Sequence, residues 1–270
     1  MIIDAVMFLN EVELFEFRYE LLKDSVDCFV VVEADTTHSG RKRNLVFPDL
    51  LNRRKDIASR TIYHPRMIDT AGMKLDFVPG RTDLSTDHWK IENLIRNAIA
   101  EPLETIDDDE LLLISDVDEI PSREAIRALA AASRESPPLP IAFQQALFYY
   151  NLRFLRNESW RGTVMTTVGM ARARSPQWHR DTRNQFPCAE NAGWHLSYFG
   201  GTEKVRNKIE SMAHQEFNLP PHKGTDHIDR CRRSGLDLFG RKADATEVGR
   251  DFFPSYFLQA ADKNSGFFFD

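Results

Sequence analysis

The feature that most constrains this chain is an apolar run that ends in acid, Leu111-Leu112-Leu113-Ile114-Ser115-Asp116-Val117-Asp118-Glu119-Ile120-Pro121. A short, continuous apolar run bounded by acidic residues and a proline reads as a buried parallel strand. Open α/β sheets bind ligands at the carboxyl ends of such strands, which is where Asp116 and Asp118 stand. Two residues apart in extended backbone, they share a face. Two carboxylates on one face repel unless a cation lies between them. Their hard oxygens suit Mg²⁺ or Mn²⁺, often shared with a substrate phosphate. The plainer alternative is an acidic turn or helix cap that follows a strand.

The surrounding sequence alternates strand and helix signals. Strands are predicted over residues 2–9, 28–32 and 61–64, and helices over residues 11–26, 45–59 and 85–100. Leu14, Phe17 and Leu21 carry the helical spacing in the first helix, and Trp89, Leu94, Ile95 and Ile99 carry it in the third. Pro48 fits the first turn of the second helix, and Ser85 is the expected N-cap of the third. Residues 36–44 read as a loop, and residues 66–84 as irregular, punctuated by Gly72, Pro79 and Gly80. Pro121 opens a helix over residues 122–133. This order implies an α/β fold, a Rossmann-type, mostly parallel sheet flanked by helices and joined by right-handed crossovers. After the proline run at 137–140 the texture changes. Residues 141–155 and 162–173 read as longer strands, residues 201–214 as a helix, and the rest as irregular and aromatic-rich. A single domain over residues 1–270 is expected, with a nucleotide-binding half at 1–136 and an acceptor-shaping half at 137–270.

A chain of 270 residues is long enough for one large α/β domain. Its net charge of −6 argues against a general nucleic-acid binder, so no nucleic-acid partner is expected. Cys28, Cys188 and Cys231 form no closely spaced pair, which indicates neither a zinc site nor a disulfide framework and fits a reducing setting. Residues 1–10 carry Asp4 and no basic start, so they read as a core strand in place of a signal peptide. No stretch approaches a membrane span. The expected location is the cytoplasm, with any work at the inner face of a membrane dependent on recruitment.

Five motifs then occur in order: Phe8-Leu9-Asn10-Glu11; Val31-Val32-Glu33-Ala34 with Ser39-Gly40; the run from Ser115 to Pro121; Gly193-Trp194-His195-Leu196-Ser197-Tyr198; and Ser211-Met212-Ala213-His214-Gln215-Glu216. Together, from about residue 6 to residue 218, the set resembles glycosyltransferase family 17. The resemblance implies a GT-A-like, inverting, metal-dependent transferase that takes a UDP-sugar, UDP-GlcNAc foremost, with Mn²⁺ or Mg²⁺ as cofactor. The expected acceptor is a surface polysaccharide, a lipid-linked glycan or an oligosaccharide.

Under this resemblance Asp116 and Asp118 both belong to the metal site and Asp116 also to the catalytic set: Asp118 binds the metal directly and Asp116 reaches ribose or a metal-bound water, while the metal neutralises charge as UDP leaves. Glu119 supports them, or simply favours the N-terminus of the next helix. His195 would complete the metal or diphosphate site, since a neutral imidazole suits Mn²⁺; otherwise it is a structural histidine among aromatics. Trp194 would stack on a sugar or fill the core. Asn10, Glu11, Glu33 and Asp35 lie just past the first two strands, on the edge that carries Asp116. There they would meet uracil and ribose, or serve as caps and turns. Arg206 and Lys208 would hold the β-phosphate or lie solvated on a helix, and Arg96-Asn97 resembles a family pair or packs at the core edge. An inverting transfer also needs a carboxylate base for the acceptor hydroxyl. Glu190, Asp181, Glu216 and Asp226 lie in the second half, and Glu190 is preferred for its nearness to His195.

Two other classes compete. A metal-dependent phosphoesterase or nuclease also uses acids at strand ends, but would carry more metal ligands or a more basic surface. A non-catalytic sugar-binding module would keep both aspartates as structural groups and bind no UDP.

Overall fold

The acidic run forms a central strand of one continuous sheet. The computed structural model describes residues 1–77, 80–83, 85–133, 140–242 and 244–263. Its ten strands are β1 (Ile2–Phe8), β2 (Cys28–Ala34), β3 (Thr61–Arg66), β4 (Leu111–Asp116), β5 (Glu119–Pro121), β6 (Ile141–Tyr149), β7 (Phe154–Thr167), β8 (Cys188–Ala189), β9 (Gly193–Ser197) and β10 (Ala245–Glu247). They lie in the order β3-β2-β1-β4-β7-β6-β9-β5, with β8 beside β6 and β10 beside β7. The pairs β1–β2, β2–β3, β1–β4, β6–β8 and β6–β9 are parallel. Because β4, β6 and β10 all lie antiparallel to β7, and β9 antiparallel to β5, only β5 and β7 run against the other described strands. The fold is therefore α/β with a mostly parallel sheet, as expected.

Helices cover both faces. Along β1, Ile3, Ala5 and Met7 join one core layer, and Val6 and Phe8 join the other. In chain order the helices are α1 (Val12–Leu22), α2 (Phe47–Arg53), α3 (Lys55–Ala58), α4 (His88–Asn97), α5 (Arg123–Ser133), α6 (Val168–Arg174), α7 (Pro176–Thr182), α8 (Gly201–Ser211), α9 (Pro220–Lys223), α10 (Thr225–Ser234) and α11 (Ser255–Lys263). Leu14, Phe15 and Phe17 of α1, Phe47 of α2 and Phe257 of α11 fill the first layer. Ile91 and Ile95 of α4 and Ala171 of α6 fill the second. No helix among the described residues is long and apolar enough to cross a membrane.

Several predicted elements are redrawn. The helix expected over residues 45–59 breaks at Arg54, whose backbone leaves helical geometry (φ −117°, ψ 84°) while its guanidinium binds Glu16, Glu20 and Asp56. The helix expected from Ser85 starts at His88, because the Ser85 hydroxyl and N–H are drawn back to Asp83. The strand expected over residues 141–155 stops at Tyr149, and Tyr150 turns the chain with a left-handed φ of 68°. The strand expected over residues 162–173 is the end of β7. It leaves the sheet at Thr167, whose Oγ1 accepts the Met170 N–H and starts α6. The C-terminal part is not irregular: it includes α10 and α11, and Phe257 meets Phe17 of α1 edge-on at 5.1 Å. Pro79 and residues 137–139 of the proline run lie outside the described residues.

A charge sits where β1 should carry an apolar side chain. Asp4 is fully buried on the α1 side, and Arg18 of α1, also fully buried, meets it through Nε at 2.7 Å and Nη2 at 2.5 Å. The same guanidinium donates to Ser115 Oγ at 2.6 Å and to the carbonyls of Asp116 (3.3 Å), Val117 (3.4 Å) and Glu119 (2.7 Å). Removing one partner of a buried pair strands the other charge, at a cost of about 3–5 kcal/mol. Arg18→Met is expected to lower the unfolding free energy by roughly that amount in urea titrations. The double variant Asp4→Leu/Arg18→Met should lose less than the sum of its single changes.

Candidate active site

Beyond Asp116 the chain makes a short acidic turn and returns as β5, which places Glu119 opposite His195 and Ile120 opposite Trp194 on β9. The carboxyl ends of β1 and β4, the side of β9 and helices α4, α7 and α8 enclose a cleft of about 400 Å³. Asp116, Asp118, His195, Lys208 and Glu11 all line it.

The two aspartates are held in different ways. Asp116 accepts Arg96 Nη2 at 3.0 Å on one oxygen and Arg180 Nη2 at 2.9 Å on the other. Burial works against its charge, but the guanidiniums of Arg180 and Arg96 override it and hold the carboxyl well below the usual range. Asp118 accepts Lys208 Nζ at 2.5 Å, and its Oδ2 lies 3.4 Å from His195 Nε2. Burial again opposes the charge, and Lys208 and His195 outweigh it, so this carboxyl too is pushed far down. Lys208 is the mirror case: burial would lower it, and Asp118 keeps it protonated well above the usual lysine range.

Glu119 is a strut. Fully buried, it accepts Trp160 Nε1 at 2.8 Å, Arg180 Nη1 at 2.7 Å and the Asp116 N–H at 3.0 Å, so it fixes the turn from beneath. His195 points into the cleft, its ring 4.6 Å from the Trp160 ring, and its Nδ1 is buried without a hydrogen-bond partner among the described residues. Tyr198, with a left-handed φ of 60°, and Gly200 and Gly201 reverse the chain after β9 and launch α8, which carries Lys208 back over Asp118.

Other candidates stand elsewhere. Successive residues of a strand face opposite ways, and so Trp194 packs against Phe257 at 4.6 Å in the core while His195 faces the cleft. Glu33 is fully buried and accepts Arg43 (2.8 Å), the N–H groups of Val46 (2.8 Å) and Phe47 (3.1 Å) and the Tyr63 hydroxyl (2.9 Å); it anchors the start of α2. Asp35 is engaged by Lys42 at 2.7 Å, the Ile68 N–H at 2.9 Å and the Thr36 hydroxyl at 2.9 Å, which is turn chemistry. Arg206 turns to Glu203, Thr225 and the Lys223 carbonyl, away from the cleft. Asn10 is exposed and borders a small side recess with Lys204, and the Glu11 carboxylate accepts the N–H groups of Leu9 and Asn10. Glu190 is exposed and is not among the residues that line the cleft, whereas Asp181 is. Arg180, Arg183, Trp160 and Glu92 line the cleft without any signal from sequence motifs. The nearest hint for the two arginines is Ser175-Pro176, a helix start in which the Ser175 hydroxyl accepts the Trp178 N–H.

The profile of Glycosyltransferase family 17 matches residues 1–243, and the chain belongs to that family. The β-1,4-mannosyl-glycoprotein 4-β-N-acetylglucosaminyltransferase of Rattus norvegicus is 27% identical over 80% of this chain and 43% of its own length. The Homo sapiens protein of the same name is 27% identical over 80% of this chain and 44% of its own length. The chain thus spans less than half the length of these relatives. Among solved structures, a 4-diphosphocytidyl-2C-methyl-D-erythritol synthase aligns with a TM-score of 0.39 and 12% identity over 71% of this chain and 89% of its own, too little to bear on the fold.

The depressed carboxyl of Asp118 ties stability to pH. A group whose folded pKa lies below its unfolded value of about 4 adds stability above that value, and the gain is lost as pH falls toward the folded pKa. In urea titrations the wild type is expected to exceed Asp118→Asn most at neutral pH. The gap should narrow steadily below about pH 4; a gap that stays constant down to pH 2 would show that Lys208 and His195 together do not stabilise the Asp118 carboxylate.

Proposed function

We propose that this chain transfers a sugar, GlcNAc foremost, from its UDP conjugate to a hydroxyl of a glycan acceptor, with inversion at the transferred carbon. The observation that carries this reading is the unequal pair at the end of β4. Asp116 has both oxygens committed to guanidiniums, while Asp118 meets an imidazole and a flexible ammonium in the cleft of a family 17 chain.

Among the described residues no group of three or more His, Cys, Asp or Glu is disposed to hold a metal ion. Small divalent ions, however, commonly take one or two protein ligands and complete their shell with substrate phosphate and water. Asp118 Oδ2 and His195 Nε2 are 3.4 Å apart. That is near the roughly 3 Å between neighbouring ligands each about 2.1 Å from one ion. These two residues fit Mn²⁺ or Mg²⁺ once the flexible Lys208 moves off Asp118 Oδ2, whereas Asp116 has each oxygen held by a buried arginine and does not. Such an ion supplies charge neutralisation for a departing diphosphate. Lys208, already at Asp118, supports the same role as a point charge able to shift to a phosphate oxygen. Glu11, at the N-cap of α1 and on the cleft lining, is assigned to the nucleoside side.

The base is assigned to Asp181 in place of Glu190. Among the cleft carboxylates, Glu92, Asp116 and Asp118 are ion-paired with Arg96, with Arg96 and Arg180, and with Lys208. Among the described residues Asp181 accepts only the Gln177 side-chain amide, at 2.8 Å. A carboxylate bound to a cation is a poor proton acceptor, and Glu11, also without a cation partner among the described residues, is committed to the Leu9 and Asn10 N–H groups, which leaves Asp181 for an acceptor hydroxyl.

Calorimetric titration of UDP and of UDP-GlcNAc, with and without Mn²⁺, tests the donor site. Mn²⁺-dependent UDP binding should weaken at least about tenfold in Asp118→Ala. No UDP binding under either condition would end the transferase reading. Asp181→Asn is expected to lower kcat by about 10²–10⁴ while UDP affinity is kept; kcat within a few-fold of wild type would remove Asp181 from the role.

A further inference from the structure

Four cationic side chains line the cleft: Arg96, Arg180, Arg183 and Lys208. Three of them have carboxylate partners. Arg183 has none among the described residues: its Nε donates to the Arg161 carbonyl at 2.6 Å, its Nη1 donates to the Arg180 carbonyl at 2.6 Å, and its Nη2 makes no hydrogen bond. Backbone carbonyls aim a guanidinium but do not neutralise it. The nearby acids, Glu119 and Asp116, are already bound to Arg180. Burial, and then the charge of Arg180, push Arg183 down to about 10 against the pull of Glu119 and Asp116. Its Cζ lies 5.7 Å from the centre of the Trp160 ring, which gives the position an aromatic wall as well as a charge.

We propose that Arg183 anchors an oxyanion, a carboxylate or a phosphate, carried by the acceptor. The inference rests on the glycosyl-transfer reading of this cleft. Arg183 follows α7 two residues after Asp181, the proposed base, so its segment is the acceptor wall, while Lys208 on α8 stands at Asp118. With Nε and Nη1 aimed by the carbonyls, Nη2 is left to donate a charge-assisted hydrogen bond to an oxygen of either anion. Trp160 offers the apolar face against which a sugar ring packs. The acceptor class is therefore an acidic glycan, a uronic-acid-containing or phosphate-bearing chain, in preference to a neutral one.

Three sugars that differ only at C6, namely glucose, glucuronic acid and glucose 6-phosphate, separate the possibilities. Their affinities would be measured by ligand-observed NMR with UDP and Mn²⁺ present at saturation, so that the diphosphate position is filled. Wild type is expected to bind at least one anionic sugar about tenfold or more tighter than glucose, and the preferred anion identifies the source. Arg183→Gln should erase the preference, and Arg183→Lys, which keeps the charge but gives up the fork, should retain part of it. UDP titration of the same variants without sugar is the control. Equal affinity of wild type for all three sugars would overturn the proposal, as would a tenfold loss of UDP affinity in Arg183→Gln, which would hand the residue to the donor. If wild type bound no UDP yet still preferred the anionic sugars, the transferase reading would fall and the oxyanion anchor would stand.

Discussion

Arg18 is the residue on which the arrangement at the end of β4 depends. A guanidinium without solvent must find oxygen for its donors, and here Asp4, Ser115 and the carbonyls of Asp116, Val117 and Glu119 supply it. The carbonyls of the acidic turn therefore point down into the protein, and the Asp116 and Asp118 side chains are left to line the cleft. One interaction thus ties α1, β1 and β4 to the turn that leads into β5. The chain accepts a full charge within an apolar layer, and in return the turn has one geometry.

Above this base the charges form a series. Glu92, Arg96, Asp116, Arg180 and Glu119 alternate in sign, each held by its neighbours. The planar forks of the arginines make that series stiff. Asp118 is outside it, paired with a lysine whose long stem can swing away. The stiff part holds the geometry and the flexible pair is what an arriving ligand can displace.

Much of this was legible from sequence because the signals were local. The apolar run, the acids at its end and the helix–strand alternation predicted β4 and the parallel strands β1–β3 beside it; the motifs led to Asp118 and His195, and the helix after Gly-Trp-His to Lys208, and all three share the cleft. What the sequence left open was decided by non-local pairing. Trp194 and His195 are adjacent in sequence, and only the registry of β9 against β5 decides which of them faces the cleft. Glu33 lies at the right edge, but its side chain shares a face with Val31, toward Phe47 at the start of α2. Arg18 and Glu119 are 101 residues apart, and Arg180 and Asp116 are 64 apart; no local pattern could have joined them. Arg54 and Tyr150 broke predicted elements through partners and backbone angles that periodicity does not carry.

The Trp160 indole gives up its N–H to Glu119, lies beside the His195 ring and has the guanidiniums of Arg180 and Arg183 near its face. Indole emission responds to nearby charge and to hydrogen bonding at nitrogen. An occupant that drew His195 aside or neutralised either arginine would change the colour and yield of that emission. The cleft therefore contains an optical reporter of its own occupancy.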